Sequence, residues 1–215
     1  MNEFHYIAVE GVLGAGKTTF AKKLAKDLSA RTILEEVDNN PFLERFYKDM
    51  KGYAFQVQLF FLLNRVKQQA PLKQTTLFEN RIVADYLIEK EKIFANVTME
   101  EDELGLYNKI YNIVVNEADL IKPDLVIYLQ ASTDTLVERI KRRGRSFEKN
   151  ISREYIHNLS EGYTYFFSHL TGVPIAIVNT DEIDFVNNEA HYNMIRDYVL
   201  KVKGGINYFT PKTEK

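Results

Sequence analysis

The chain has 215 residues, of which 45% are hydrophobic and 27% charged, and its formal net charge is −2. That mix suits one globular domain with a sizeable core, and the lack of a positive excess disfavours long nucleic acid as a partner. No cysteine is present, which excludes a disulfide framework and a thiolate zinc site.

Tyr6-Ile7-Ala8-Val9-Glu10 is a short apolar run ending at a glycine, the pattern of a buried strand. A helix is expected over 18–28, where Phe20, Leu24 and Leu28 recur at four-residue spacing. A second strand is expected over 32–37, closed by the Asn39-Asn40-Pro41 turn signal, and Pro41 can open the next helix. The stretch 53–69 reads as a long helix, apolar almost all round and so mostly buried. A third strand covers 81–84, a helix 100–120, a fourth strand 125–129 and a helix 133–143 that stops at Gly144. A helix over 153–170, a fifth strand over 174–178 and a last helix over 189–202 follow, and the polar tail from about 204 is expected to fray. Short apolar strands alternating with helices imply an α/β fold, a five-stranded parallel sheet covered by helices on both faces. With no repeat, low-complexity segment or linker, residues 1–215 are expected to form a single domain. Met1-Asn2-Glu3-Phe4-His5 lacks the charged-then-apolar pattern of a signal peptide, and the longest apolar stretches are too short to span a bilayer. A soluble cytoplasmic protein with no membrane contact is expected.

Gly11-Val12-Leu13-Gly14-Ala15-Gly16-Lys17-Thr18 fits G-x-x-x-x-G-K-[ST] at every fixed position, with a strand before it and a helix after. Glycines let backbone N–H groups turn onto phosphate oxygens, and the helix N-terminus adds positive potential. Lys17 is a point charge for the outer phosphates, and the Thr18 hydroxyl can ligate Mg²⁺. These residues, with Thr19, form the expected ATP site of a P-loop kinase fold. The N-K-x-D motif of a switch GTPase does not occur; Asn179-Thr180-Asp181-Glu182 is not one.

A small-molecule kinase needs a mobile basic lid to cover the transferring phosphate. Arg139, Arg142 and Arg143 share one helical face and Arg145 follows Gly144, so 139–150 is expected to be an arginine-rich lid. The alternative is a basic helix C-terminus favoured by the macrodipole. Ligands gather at the C-terminal ends of parallel strands, where Glu35 and Glu36 lie side by side after strand two and Asp85 lies after strand three. Alternation along the strand would face one glutamate to the site, where a carboxylate can accept a proton from an attacking hydroxyl. Asp85 is a candidate for the metal shell or for orienting a partner. Gln58 and Arg65, seven apart on the long helix, form a polar stripe that a bound base or ribose would satisfy. His5, His157, His169 and His191 show no metal spacing.

The phosphate loop, LEEVDNNPFLERFY, FQVQLFFLLNR, IVADYLIEKEKIFA, PDLVIYLQAS and ERIKRRGRSFEKNIS occur in one order over nearly the whole chain. Together they make the chain resemble the deoxynucleoside kinase family, the bacterial deoxyguanosine and deoxyadenosine kinases in particular. The resemblance implies Mg²⁺-dependent transfer of a phosphoryl group from ATP to the 5′-hydroxyl of a deoxynucleoside, with a purine expected. It makes Glu35 the general base, with Gln58 and Arg65 beside the nucleobase and Tyr47 and Glu148 on the 3′-hydroxyl. Arg139, Arg143 and Arg145 become catalytic lid arginines beside Lys17. Asp181 to Phe185 become the loop beside the donor adenine, and Thr18 with Asp85 the metal site. It also implies a homodimer through the long helices, or a heterodimer with a related subunit. One departure stands out. Many relatives carry an arginine directly after the strand-three carboxylate, contacting the catalytic carboxylate and phosphate; here Tyr86 and Leu87 follow Asp85. That leaves its role to Arg65 or a lid arginine. Animal relatives have proline where this chain has Glu36, which points away from Glu36 as the base. The rival readings are a thymidylate-type monophosphate kinase and a non-catalytic nucleotide-binding subunit.

Overall fold

The structure of the chain, a computed structural model, describes residues 4–72 and 81–211. Six strands, β1 (Tyr6–Glu10), β2 (Arg31–Ile33), β3 (Ile82–Ala84), β4 (Leu125–Gln130), β5 (Ile175–Asn179) and β6 (Ile206–Phe209), form one sheet in the order β2-β3-β1-β4-β5-β6. Every pairing is parallel, and Ala8 of β1 sits between Ala84 and Val126. All five residues of β1 are buried. A strand covered on both faces has no polar side to alternate with, which is why its sequence is a continuous apolar run.

Parallel neighbours need long crossovers, and helices supply them. In chain order these are α1 (Lys17–Asp27), α2 (Leu43–Lys48), α3 (Met50–Gln69), α4 (Lys90–Thr98), α5 (Glu101–Ala118), α6 (Thr133–Arg143), α7 (Arg153–His169) and α8 (Glu189–Val199). Single-turn 3₁₀ helices lie at Val37–Asn39 and Ser146–Glu148. Ser132 caps α6 by accepting from the Thr135 N–H, and Gly144, at φ 70°, ends it. Aromatic packing joins the sheet to α7: the Tyr128 and Phe167 rings stack with centroids 4.7 Å apart. On the opposite side a smaller cluster gathers Tyr6, Ile33, Leu72, Ile82, Ala84 and Tyr86.

Four expectations are corrected. The sheet has six strands rather than five, because residues 206–209 of the supposedly frayed tail pair in parallel with β5. Phe209 of this strand stacks on Tyr198 of α8, with centroids 4.1 Å apart and planes 9° from parallel. The strand is only Ile206-Asn207-Tyr208-Phe209, a four-residue edge strand with no buried residue set in polar surroundings, which hid it; residues 212–215 of the expected tail lie outside the described residues. The second strand ends at Ile33, so Glu35 and Glu36 leave the sheet in a loop rather than alternating along it. A helix not expected from the sequence, α4, follows β3. Finally, α3 is buried along one stripe, with Gln58, Arg65 and Gln69 among its buried residues, while Leu63 is 48% exposed.

The Tyr198–Phe209 stack offers a test of the added strand. Phe209→Ala should lower stability by about 1–2 kcal/mol in urea unfolding, since an aromatic pair contributes beyond its buried area. A frayed tail would give no measurable change.

Candidate active site

β1 delivers the phosphate loop to the C-terminal edge of the sheet, where its neighbours β3 and β4 continue to opposite sides. This is the crevice where α/β sheets bind ligands. Gly14 and Gly16 have φ of 85° and 88°. A Cβ on Gly14 would stand 2.9 Å from the Leu136 carbonyl oxygen, and one on Gly16 would stand 2.8 Å from the Phe185 ring. Only glycine fits either position. Lys17 Nζ donates to the Gly11 carbonyl (2.7 Å), folding the lysine across the loop. Burial, then the nearby Lys90 ammonium, pushes the Lys17 pKa down to about 8, against the pull of Glu10, Glu35 and Asp85.

A cavity of about 1110 Å³ opens over this loop. On the β2 side it is lined by Val37, Leu43, Tyr47, Phe61 and Phe94, apolar walls suited to a flat ring. On the β5 side it is lined by residues 181–187, His191, Lys22 and Thr135. Phe185 is buried against Phe20, ring centroids 5.6 Å apart, so it fixes the 181–187 loop over Gly16. Asp181 accepts from the Ser132 N–H (2.8 Å). Burial disfavours its charge, but hydrogen bonds from Ser132 and Thr135 prevail and lower its pKa.

Glu35 stands at the edge of the cavity, held from three sides. Its backbone N–H donates to Asp85 Oδ1 (2.7 Å). One carboxylate oxygen pairs with the Arg65 guanidinium and the other accepts from Lys90 Nζ at 2.9 Å. Burial alone would push its pKa up, but Lys90, Arg65 and Lys17 hold it well below the usual carboxylate range. Thr18 donates from Oγ1 to Asp85 Oδ2, so Asp85 ties the phosphate-loop helix to the Glu35 loop. Glu36 is exposed and accepts from Asn39, outside this cluster. Arg65 is 3% exposed, lies between the Phe61 and Tyr86 rings (5.0 and 5.5 Å) and also pairs with Glu91. Arg65 and Asp85 stand behind the lining and touch it through Glu35 and Thr18. Gln58 is buried on the same face of α3.

The basic segment brings its groups to the same cavity. The Arg143 fork grips Glu148, with Nη2 at 2.6 and 2.7 Å from its two oxygens, and Arg145 Nη1 lies 3.8 Å away. Phe147 between them stacks on Tyr47, centroids 5.7 Å apart. Burial, then the Glu148 charge, raises the Tyr47 pKa, so its hydroxyl stays protonated. Arg139 donates to Thr180 Oγ1 (3.0 Å) and to the Thr180 carbonyl (2.6 Å), anchoring α6 to the end of β5.

Three buried charges escaped sequence reasoning. Lys90 and Glu91, in the run Glu89-Lys90-Glu91-Lys92, are 2% and 0% exposed. Glu10 closes β1 and is fully buried, accepting from the Gly11 and Leu87 N–H groups. Their only signal was position: Glu10 directly precedes the phosphate loop, and Lys90 and Glu91 follow the strand-three carboxylate.

Comparison with known proteins gives a consistent answer. A sequence model of the family described as deoxynucleoside kinase matches residues 7–202. The deoxyguanosine kinase of Bacillus subtilis (strain 168) is 38% identical over 207 residues, spanning 94% of this chain and 99% of that one. A deoxyadenosine kinase of Dictyostelium discoideum is 37% identical, over 89% of this chain and 78% of its own. The solved structure of deoxyadenosine kinase from M. mycoides with bound dATP superimposes with a TM-score of 0.78 at 32% identity, covering 91% of this chain and 100% of that one. The matched span contains the phosphate loop, Glu35 and the whole basic segment, so this chain is a phosphotransferase acting on nucleosides and belongs to the deoxynucleoside kinase family.

Proposed function

We propose that this enzyme transfers the γ-phosphoryl group of ATP to the 5′-hydroxyl of a purine deoxynucleoside, deoxyguanosine or deoxyadenosine, as a single-domain cytoplasmic salvage kinase. The observation that carries this reading is Glu35, an ionised carboxylate at the cavity edge, backed by Arg65 and Lys90 and tied through Asp85 to the helix of the phosphate loop. Relatives named as deoxyguanosine and deoxyadenosine kinases support the purine assignment.

The roles follow from position. The loop N–H groups and Lys17 hold the donor phosphates, and residues 181–187 frame its base. The walls Leu43, Tyr47, Phe61 and Phe94 take the acceptor, with Gln58 and Arg65, buried on α3 and outside the lining, assigned to the side of its base. Tyr47 and Glu148 hold the 3′-hydroxyl. Glu35 takes the 5′-hydroxyl proton as bond formation to phosphorus makes that hydroxyl acidic, which offsets the weak basicity of a carboxylate held by two cations. Arg143 and Arg145 transfer from Glu148 to the moving phosphoryl group when the lid closes, and Arg139 fixes the lid's base.

Thr18 Oγ1 and Asp85 Oδ2 face each other within hydrogen-bond reach beside Lys17. Hard oxygen donors with room for phosphate and water fit Mg²⁺, which needs few protein ligands. Among the described residues no group of three or more His, Asp or Glu side chains forms a cage for a metal. Thr18 and Asp85 would hold the ion there, and it would supply charge neutralisation at the phosphates. The exposed apolar residues Leu63 of α3 and Leu106 and Ile113 of α5 support a homodimer through these helices; Leu106 and Ile113 are seven apart, on one stripe. A monophosphate kinase would want a cation for the acceptor phosphate where Tyr86 stands, and that reading is not favoured.

Purified protein with Mg-ATP and a panel of deoxyguanosine, deoxyadenosine, deoxycytidine, thymidine and dTMP should yield a 5′-monophosphate from one or both purines. Turnover of dTMP alone, or of nothing, would remove this reading. Glu35→Gln should lower kcat by about 10²–10⁴-fold; near-normal turnover would strip Glu35 of its role. Sedimentation velocity should give a species of twice the chain mass, which Leu106→Glu with Ile113→Glu should convert to monomer; a monomeric wild type would rule out the helix-face dimer.

A further inference from the structure

Lys90 is a buried ammonium, 2% exposed, on the first turn of α4. Burying such a charge is costly unless it is paired. Two carboxylates pair it: Glu35 Oε2 at 2.9 Å and Glu10 Oε1 at 3.9 Å. Glu10 cannot move to follow it, because it accepts from the N–H groups of Gly11 (3.0 Å) and Leu87 (2.6 Å) and from the Tyr163 hydroxyl (3.3 Å). A lysine serving the fold alone would need only the deeper partner. This one gives its shorter contact to the carboxylate at the cavity edge.

Arg65 does not make Lys90 redundant, since Arg65 is shared with Glu91, a carboxylate with no exposed surface. Without Lys90, the carboxylates of Glu10, Glu35, Asp85 and Glu91 would face only Lys17 and Arg65, beside the place where a triphosphate must dock. The sequence offers no arginine directly after Asp85. Tyr86 stands there, donating its hydroxyl to Gln68 Oε1 at 2.9 Å. The cation comes instead from α4.

We infer that Lys90 is a positioning residue of the phosphoryl transfer, holding the Glu35 carboxylate aimed at the acceptor hydroxyl, with Glu10 fixing Lys90 in turn. This rests on the kinase reading above. In the step it serves, the acceptor oxygen forms a bond to the γ-phosphorus and the bond from phosphorus to the β,γ-bridging oxygen breaks. ADP leaves with that electron pair, and the hydroxyl proton passes to Glu35. The other charged or titratable groups facing Glu35 are Lys17 from α1, Arg65 from α3, Asp85 and Tyr86 from the loop after β3 and Tyr47 from α2. Tyr163 of α7 faces both Glu35 and Glu10.

The test is steady-state kinetics with Mg-ATP and the best purine deoxynucleoside on wild type, Lys90→Met, Lys90→Arg and the double variant Glu10→Gln/Lys90→Met. Lys90→Met should lose about 10–100-fold in kcat, with KM changed less than about threefold. Lys90→Arg should recover most of kcat. The double variant removes a buried carboxylate with the ammonium, which protects the fold, and should keep the loss in kcat. A folded Lys90→Met or double variant with near-normal kcat would overturn the proposal. So would unfolding of both variants alongside a Lys90→Arg whose fold returns without its activity. If wild type phosphorylates no deoxynucleoside, the kinase reading fails; an active wild type with an indifferent Lys90 sinks only this inference.

Discussion

The site depends on one physical arrangement, a cluster of opposite charges buried where the central strands end. Glu10, Lys90, Glu35, Arg65 and Glu91 form a continuous chain of ion pairs, and Asp85 joins it through the Glu35 backbone and Thr18. Each charge would be costly alone in that interior, and each is tolerated because its neighbour compensates it. The chain draws on β1, the loop after β2, the loop after β3, α3 and α4. Displacing any one of these elements would strand a charge. The Glu35 carboxylate is therefore held by the packing of five separate elements around it, the kind of preorganisation that electrostatic catalysis requires.

The basic segment follows the same rule with softer consequences. Arg143 and Arg145 both turn to the buried Glu148 carboxylate. Tyr47 and Phe147 stack beside this pairing. Arg139 plays a steadier part, since its donors are committed to Thr180.

Hydrophobic surface tells the remaining story of α3. Its buried stripe contributes Gln58, Arg65 and Gln69 to the interior, while Leu63 is exposed, as are Leu106 and Ile113 of α5. A helix that is apolar nearly all round and buried only on one side within the chain has more apolar surface than the chain itself covers.

The parts legible in the sequence were those that depend on local pattern. A phosphate loop is a contiguous run whose glycines and lysine act where they stand, and β1, β4 and β5 are unbroken apolar runs because both faces are covered. Glu35 and Asp85 could be marked because strand ends in a parallel sheet share one edge. The sixth strand was hidden by its shortness and polar surroundings, and α4 by its run of alternating charges. Only the tertiary structure decided which charges are buried and with whom. Lys90 and Glu91 are indistinguishable from solvated residues until α4 packs against α3 and brings them to Glu35 and Arg65, fifty-five and twenty-six positions away along the chain. Burial and pairing are properties of the packed whole, set by long-range contacts that no local window of sequence records.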